Sequence, residues 1–173
     1  MKIQQLDAKS LKPLLPPMVA LLQEVVDGGA SVGFLPPLSA QEAEAYWLEV
    51  SKASQGAHKR LWVALESGQV AGTLQLNLEA RANGLHRAEI AKLMVGSAHR
   101  RKGLATALMR TAELEAGRLG RTTLVLDTLE GHEAERLYLS LGWQRAGVIP
   151  QYARGQDGQL HGTVVMYKLL APH

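Results

Sequence analysis

The chain has 173 residues, near the roughly 150 of one domain, with 19 Lys and Arg against 16 Asp and Glu for a formal net charge of +3. No cysteine is present, which excludes a disulfide scaffold, cysteine-ligated zinc and a cysteine nucleophile. Hydrophobic residues at 46% and charged residues at 20% argue against disorder, and 5% aromatics with no recognition motif argues against a nucleic-acid binder.

Residues 2–6 read as a first strand. Leu11, Leu14, Leu15, Met18, Leu21, Leu22 and Val25 recur at helical spacing over 10–26. The Pro16-Pro17 pair should open the regular part of that helix, since proline suits a first turn and not an interior, and Gly28-Gly29 should end it. Gly28–Gly33 follows a helix and not a strand, so it reads as a flexible connection and not a dinucleotide loop. Ser39-Ala40-Gln41-Glu42 has the form of a capping box and predicts a second helix to about Ala53. Leu61–Leu65 and Val70–Leu78 read as a hairpin turning at Ser67-Gly68, and Asn83-Gly84 signals a turn before an apolar strand at Ala88–Val95. A helix over Gly103–Leu119, with Leu104, Leu108, Ala112 and Ala116 on one face, stops at Gly120. Thr122–Thr128 is a Leu/Val-rich strand, and His132–Leu141 a short helix capped by Gly142. Trp143–Tyr152 and Thr163–Leu170 pair around Gly155-Gln156-Asp157-Gly158. An antiparallel meander followed by strand, helix, strand, helix and two closing strands is an α+β arrangement, a mixed sheet with helices against it, in a single domain over 1–173.

The start, Met1 to Asp7, turns polar at once, so no targeting segment is expected. Apolar runs such as Met18–Leu22 fall far short of the roughly 18 residues of a membrane span. A cytoplasmic protein without membrane attachment is the expectation.

The segment from Leu93 to Thr106 carries the most chemical information. A strand ends at Val95, a basic loop with Arg100, Arg101 and Lys102 follows, and a helix begins at Gly103. Amides at a helix N-terminus point outward unpaired and the dipole places partial positive charge there, a combination that suits a phosphate. Three cations at a helix N-terminus oppose the dipole unless an anion arrives. A solvated basic loop is the alternative. No Walker-type phosphate loop occurs.

Arg100-x-x-Gly103-x-Ala105 resembles the signature of the GNAT N-acetyltransferases. The resemblance implies a fold of about seven strands and four helices, acetyl-CoA as acetyl donor, and its pyrophosphate on the amides and cations of Arg100, Arg101, Lys102, Gly103, Leu104, Ala105 and Thr106. The strand residues Leu93, Met94 and Val95 would meet the pantetheine arm, with the oxyanion donor among their amides. The chain departs from the family pattern at Ser97, at Arg101, where a second Gly is common, and at Gly131, where an Asn that often contacts CoA is replaced; His132 is the candidate substitute.

Acetyl transfer to an amine requires a base for the ammonium and an acid for the leaving thiolate. Tyr138, in Glu135-Arg136-Leu137-Tyr138-Leu139-Ser140-Leu141-Gly142-Trp143, matches the family's acid; its alternative is a packing role. Glu89, a lone carboxylate in an apolar strand, matches a family base, with desolvation expected to raise its pKa; its alternative is a salt bridge to Arg87 or Lys92. Asp127 would hold the substrate ammonium or assist as base, or else cap a turn. The six His residues show no ligand spacing, so no metal is expected.

Several stretches, among them Gly28–Phe34, Arg87-Ala88-Glu89 and Leu126-Asp127-Thr128, resemble the tabtoxin-resistance branch of the family, which acetylates a β-lactam amino-acid toxin. That implies a small amine or amino-acid-like acceptor, an antibiotic or toxin, with Ser31, Phe34 and Asp127 as acceptor-binding residues. The alternatives are a protein or peptide acetyltransferase and a non-catalytic acyl-CoA sensor. The terminal strands offer edges that a homodimer could pair. Arg100, Arg101 and Lys102 alone account for the net charge of +3, leaving 16 basic residues against 16 acidic.

Overall fold

Seven strands and the helices packed on them make up the computed structural model, which describes residues 1–171. The seven strands among the described residues are β1 (Lys2–Leu6), β2 (Lys59–Glu66), β3 (Gln69–Leu78), β4 (Arg87–Val95), β5 (Thr123–Leu129), β6 (Gln144–Arg154) and β7 (Leu160–Leu169). They form one sheet in the order β1-β2-β3-β4-β5-β7-β6. Every neighbouring pair is antiparallel except β4 and β5, which run parallel. A single turn α1 (Ala8–Leu11) precedes the helices α2 (Leu15–Asp27), α3 (Ala40–Ser54), α4 (Leu104–Arg118) and α5 (Glu133–Ser140). This is the α+β arrangement that the sequence predicts. Positions 172–173 of the expected 1–173 domain lie outside the described residues.

Local chemistry sets the boundaries. The helix expected over 10–26 is interrupted: Asp7 and Ser10 close a capping box that starts α1, and a 3-10 turn follows at Lys12–Leu14. The regular helix then begins at Leu15 with the two prolines in its first turn, where a missing amide breaks no bond. Ser39 and Glu42 cap α3 reciprocally, as expected. Strand β7 starts at Leu160 and not Thr163, because Leu160 and His161 continue the ladder opposite Arg154 and Ala153.

The sheet separates two cores. Helices α4 and α5 cover one face, where Leu104, Leu108 and Met109 meet Leu74, Leu76, Leu124 and Leu126. On the other face α2 and α3 pack Met18, Leu22, Trp47 and Val50 against Leu61 and Val63, on the β1–β3 side. Trp47 is fully buried, and its Nε1 donates to the Met18 carbonyl at 2.9 Å, tying α3 to α2. Trp47→Phe removes that donor and part of the packed volume, so it should cost about 2 kcal/mol. A lower urea midpoint at unchanged slope would show it; an unchanged midpoint would contradict it.

Two irregularities prepare the site. The β4–β5 ladder ends at Glu89 opposite Val125, and the strands part beyond it. A bulge then interrupts β4 against β3 between Thr73 and Gln75, with Lys92 at φ +54. Behind them Gly72 permits close packing: a Cβ there would lie 2.7 Å from the Met94 carbonyl oxygen and 2.9 Å from Leu104 Cδ2.

Candidate active site

The loop between β4 and α4 makes a 3-10 turn at Ser97–His99 and enters the helix through two left-handed residues, Arg101 at φ +60 and Gly103 at φ +77. Arg101 therefore holds a backbone conformation that glycine adopts more readily, which explains why a Gly is common at this position of the family pattern. Gly103 is the N-cap of α4, and no side chain caps this helix, in contrast with α1 and α3. The Ala107 amide makes the first bond back, to Gly103 O at 3.0 Å. The preceding amides of Leu104, Ala105 and Thr106 thus have no carbonyl within the helix to bond.

These groups line a cavity of about 410 Å³. Of the residues expected to hold a cofactor, Leu93, Met94, Val95, Arg100, Arg101, Gly103, Leu104, Ala105 and Thr106 line it. Lys102 does not: its ammonium lies 3.1 Å from Glu66 Oε2, outside the cavity. His132 lines the wall, beside Glu133, Ala134 and Leu137 of α5. Val25, Gly28 and Ala30 supply the opposite side, and His99 contributes from the loop; sequence reasoning missed all four.

Two carboxylates that the sequence did not single out grip the loop. Glu24 on α2 accepts the Ser97 amide at 2.6 Å. That bond and a second from the Ser97 side chain hold the Glu24 carboxyl below its ordinary range, with Arg100 and His99 adding to the effect. Glu66, at the end of β2, lies 2.5 Å from His99 Nδ1, and its carboxyl is likewise held low, by His99 first and Lys102 second. Part of the loop's charge is thus balanced within the protein.

Two of the proposed reacting groups, Glu89 and Asp127, lie where β4 and β5 part, whereas Tyr138 lies on α5, in the core of the opposite face. Ala88 and Ile90 bury under α4 and α5, as do Leu124 and Leu126, so Glu89 and Asp127 both project to the opposite face. At these two positions that face is open, and both carboxylates are exposed. The expected burial of Glu89 is therefore wrong: its strand is buried on one face only. Nor does Glu89 take Arg87, which pairs with Glu79 at 2.7 Å. Instead Asn77 Nδ2 donates to Glu89 Oε2 at 3.2 Å. Asn77 belongs to a polar chain through Lys59 and the buried Gln75 to the Tyr46 hydroxyl, with bonds of 2.5, 3.1 and 2.8 Å. Burial pushes the Tyr46 phenol up to about 12, although the Gln75 bond pulls the other way.

Asp127 is oriented by Thr163, whose Oγ1 lies 2.9 Å from Asp127 Oδ2. Lys92 feels both carboxylates: burial holds its ammonium below the usual lysine range against the charges of Asp127 and Glu89. Tyr138 lies on α5, buried, with its ring 6.2 Å from that of Trp143. It packs in the core and also feels Asp127. Burial first, and the Asp127 charge second, push its phenol up to about 12.

A second cavity, about 670 Å³, opens beside the first. Ser31 and Phe34 line it together with Gln156, Asp157 and His161 from the β6–β7 turn; Asp127 does not. Gly28–Gly33, read from sequence as a flexible connection, is a wall between the cavities, and Ala30 lines both.

Residues 21–143 match the model of the Acetyltransferase (GNAT) family. The chain belongs to this family. It is 35% identical over 101 residues to N-acetyltransferase 8F1 of Rattus norvegicus, a match covering 57% of this chain and 46% of the rat protein. The match spans just under half the length of that relative. Among solved GNAT-like structures, yncA from Salmonella typhimurium, which holds its cofactor acetyl-CoA, superposes with a TM-score of 0.80 at 22% identity, over 100% of this chain and 95% of that one. A GCN5-related N-acetyltransferase from Kribbella flavida superposes with a TM-score of 0.78 at 26% identity, covering 97% and 98%.

Proposed function

We propose that this GNAT protein transfers the acetyl group of acetyl-CoA to the primary amine of a small, amino-acid-like molecule. The observation that carries this reading is the meeting of two cavities at Ala30, one lined by an uncapped helix N-terminus and by Leu93 to Val95 beyond the parting of β4 from β5, the other lined by Ser31 and Phe34. The first fits the donor: Arg100, Arg101 and the amides of Leu104 to Thr106 suit a pyrophosphate. Past Glu89, β4 has lost its ladder to β5, so Leu93 to Val95 keep backbone groups free for an amide-bearing arm and for an oxyanion. When bound, acetyl-CoA supplies an activated thioester carbonyl.

The residues of the chain do the rest. Asp127, fixed by Thr163, attracts the acceptor's ammonium, and Glu89, fixed by Asn77, takes its proton. Tyr138 keeps its proton at neutral pH and can give it to the leaving sulfur. Ser31 and Phe34 contact the body of the acceptor, and a toxin or antibiotic of amino-acid type fits that description. The exposure of Glu89 and Asp127 favours a second reading, a peptide amine as acceptor.

Acetyl-CoA at about 100 times its Kd should stabilise the fold by about 2.7 kcal/mol, raising the melting temperature by roughly 5–10 °C for a chain of this size. An unchanged melting temperature would reject the donor assignment. Free-thiol release should follow addition of small amines, amino-acid antibiotics included. Release with basic peptides alone would establish the second reading, and stabilisation without release from any amine would make the protein a sensor.

A further inference from the structure

The clasp of Glu66 on the loop serves neither the core nor the proposed acid and base. Glu66 ends β2, beside the hairpin turn, and its Oε2 contacts both His99 Nδ1 at 2.5 Å and Lys102 Nζ at 3.1 Å. The two cations differ in placement. Lys102 is half exposed and turned away from the donor cavity, whereas the His99 side chain is 19% exposed and lines it. A carboxylate only accepts, so the His99 nitrogen that meets Glu66 carries a proton. Nε2 is then the one polar atom of the ring left for a ligand in the cavity. Glu24 fixes the same turn from α2 through the Ser97 amide, so the turn that carries the ring is held from two sides.

We infer that His99, oriented by Glu66, is a further binding residue for the phosphate groups of the donor. An imidazole held by a carboxylate at one nitrogen can offer the other to a phosphate oxygen, so that the ring bridges two anions. Glu66 is then a positioning residue, and it also keeps Lys102 out of the cavity. The geometry answers why an acidic residue stands beside an anion site: its charge acts through the ring. This inference rests on the donor reading of the cavity.

The test compares equilibrium binding of acetyl-CoA with that of S-acetylpantetheine, which has no phosphates, in otherwise intact protein. His99→Asn keeps an N–H for Glu66 but has nothing at the Nε2 position. It should weaken acetyl-CoA about tenfold, the scale of one charge-assisted hydrogen bond, and leave S-acetylpantetheine within twofold. Glu66→Gln should weaken acetyl-CoA by a smaller factor and add nothing to His99→Asn. His99→Gln, which restores an N–H near the Nε2 position, should recover part of the lost affinity, and it carries the same comparison if the Asn variant unfolds. Equal losses on both ligands, or wild-type affinity in His99→Asn, would overturn the inference, as would additive losses in the double variant. If the wild-type protein itself binds acetyl-CoA no better than S-acetylpantetheine, the donor reading of the cavity fails instead.

Discussion

Tyr138→Phe is expected to lower kcat by about 10²-fold or more, the lower bound for loss of a positioned general acid, with the Kd of acetyl-CoA changed less than twofold. The phenylalanine ring keeps the packing against Trp143, so the unliganded protein should melt close to the wild-type temperature. What is lost is the proton. A free phenol titrates near 10, and burial with the Asp127 charge moves this one up to about 12. The hydroxyl therefore stays protonated through the alkaline range in which most enzymes are assayed, and its ionisation should put no descending limb on the kcat profile until the pH nears 12. The same shift makes the folded state retain a proton that the unfolded chain releases. Stability linked to Tyr138 is thus present below pH 10 and lost as the pH climbs towards 12. Wild-type kcat in Tyr138→Phe would reject the acid and leave Tyr138 as a core residue.

The donor side of this site is legible in sequence because it is local. Leu93 to Thr106 is one contiguous run of strand end, basic loop and helix start, and helix termini and glycine conformations depend on near neighbours. Lys102 was misread because its partner, Glu66, is remote in sequence, and charge adjacency in a loop does not give side-chain direction. Glu24 was missed for the same reason: 73 residues separate it from Ser97. The apolar character of its strand predicts a buried Glu89, yet only alternate positions meet α4 and α5, and no pattern within the strand tells that the far side is left uncovered at Glu89. The chain from Tyr46 to Glu89 left a trace, since Thr73, Gln75 and Asn77 alternate along β3, but its partners come from three separate elements. Asp7-Ala8-Lys9-Ser10 escaped notice because its capping box closes with serine in place of the usual Glu or Gln.

Gly103→Asp should weaken acetyl-CoA binding by about two orders of magnitude, while the stability of the unliganded protein moves by less than about 1 kcal/mol. Opposite local effects produce the small second number. A non-glycine residue at φ +77 is strained by about 1 kcal/mol, Asp being among the better tolerated. A carboxylate at this N-cap would also satisfy amides of α4 that no side chain caps in the native protein, a gain of about 1 kcal/mol. The cofactor gains nothing from that exchange. The new carboxylate occupies the very amides that the pyrophosphate needs and places a negative charge within a few ångströms of it, where two like charges at an effective dielectric near 20 repel by about 4 kcal/mol at 4 Å. Gly103→Ala separates the parts: it carries the strain without the charge, and a Cβ there meets no atom within 4 Å. It should therefore lose stability and keep most of its affinity. Calorimetric titration of both variants, with melting of the unliganded proteins alongside, decides the matter. Gly103→Asp binding acetyl-CoA as the wild type does would place the pyrophosphate elsewhere, whereas equal weakening in Gly103→Ala would trace the loss to backbone distortion and not to competition for the helix N-terminus.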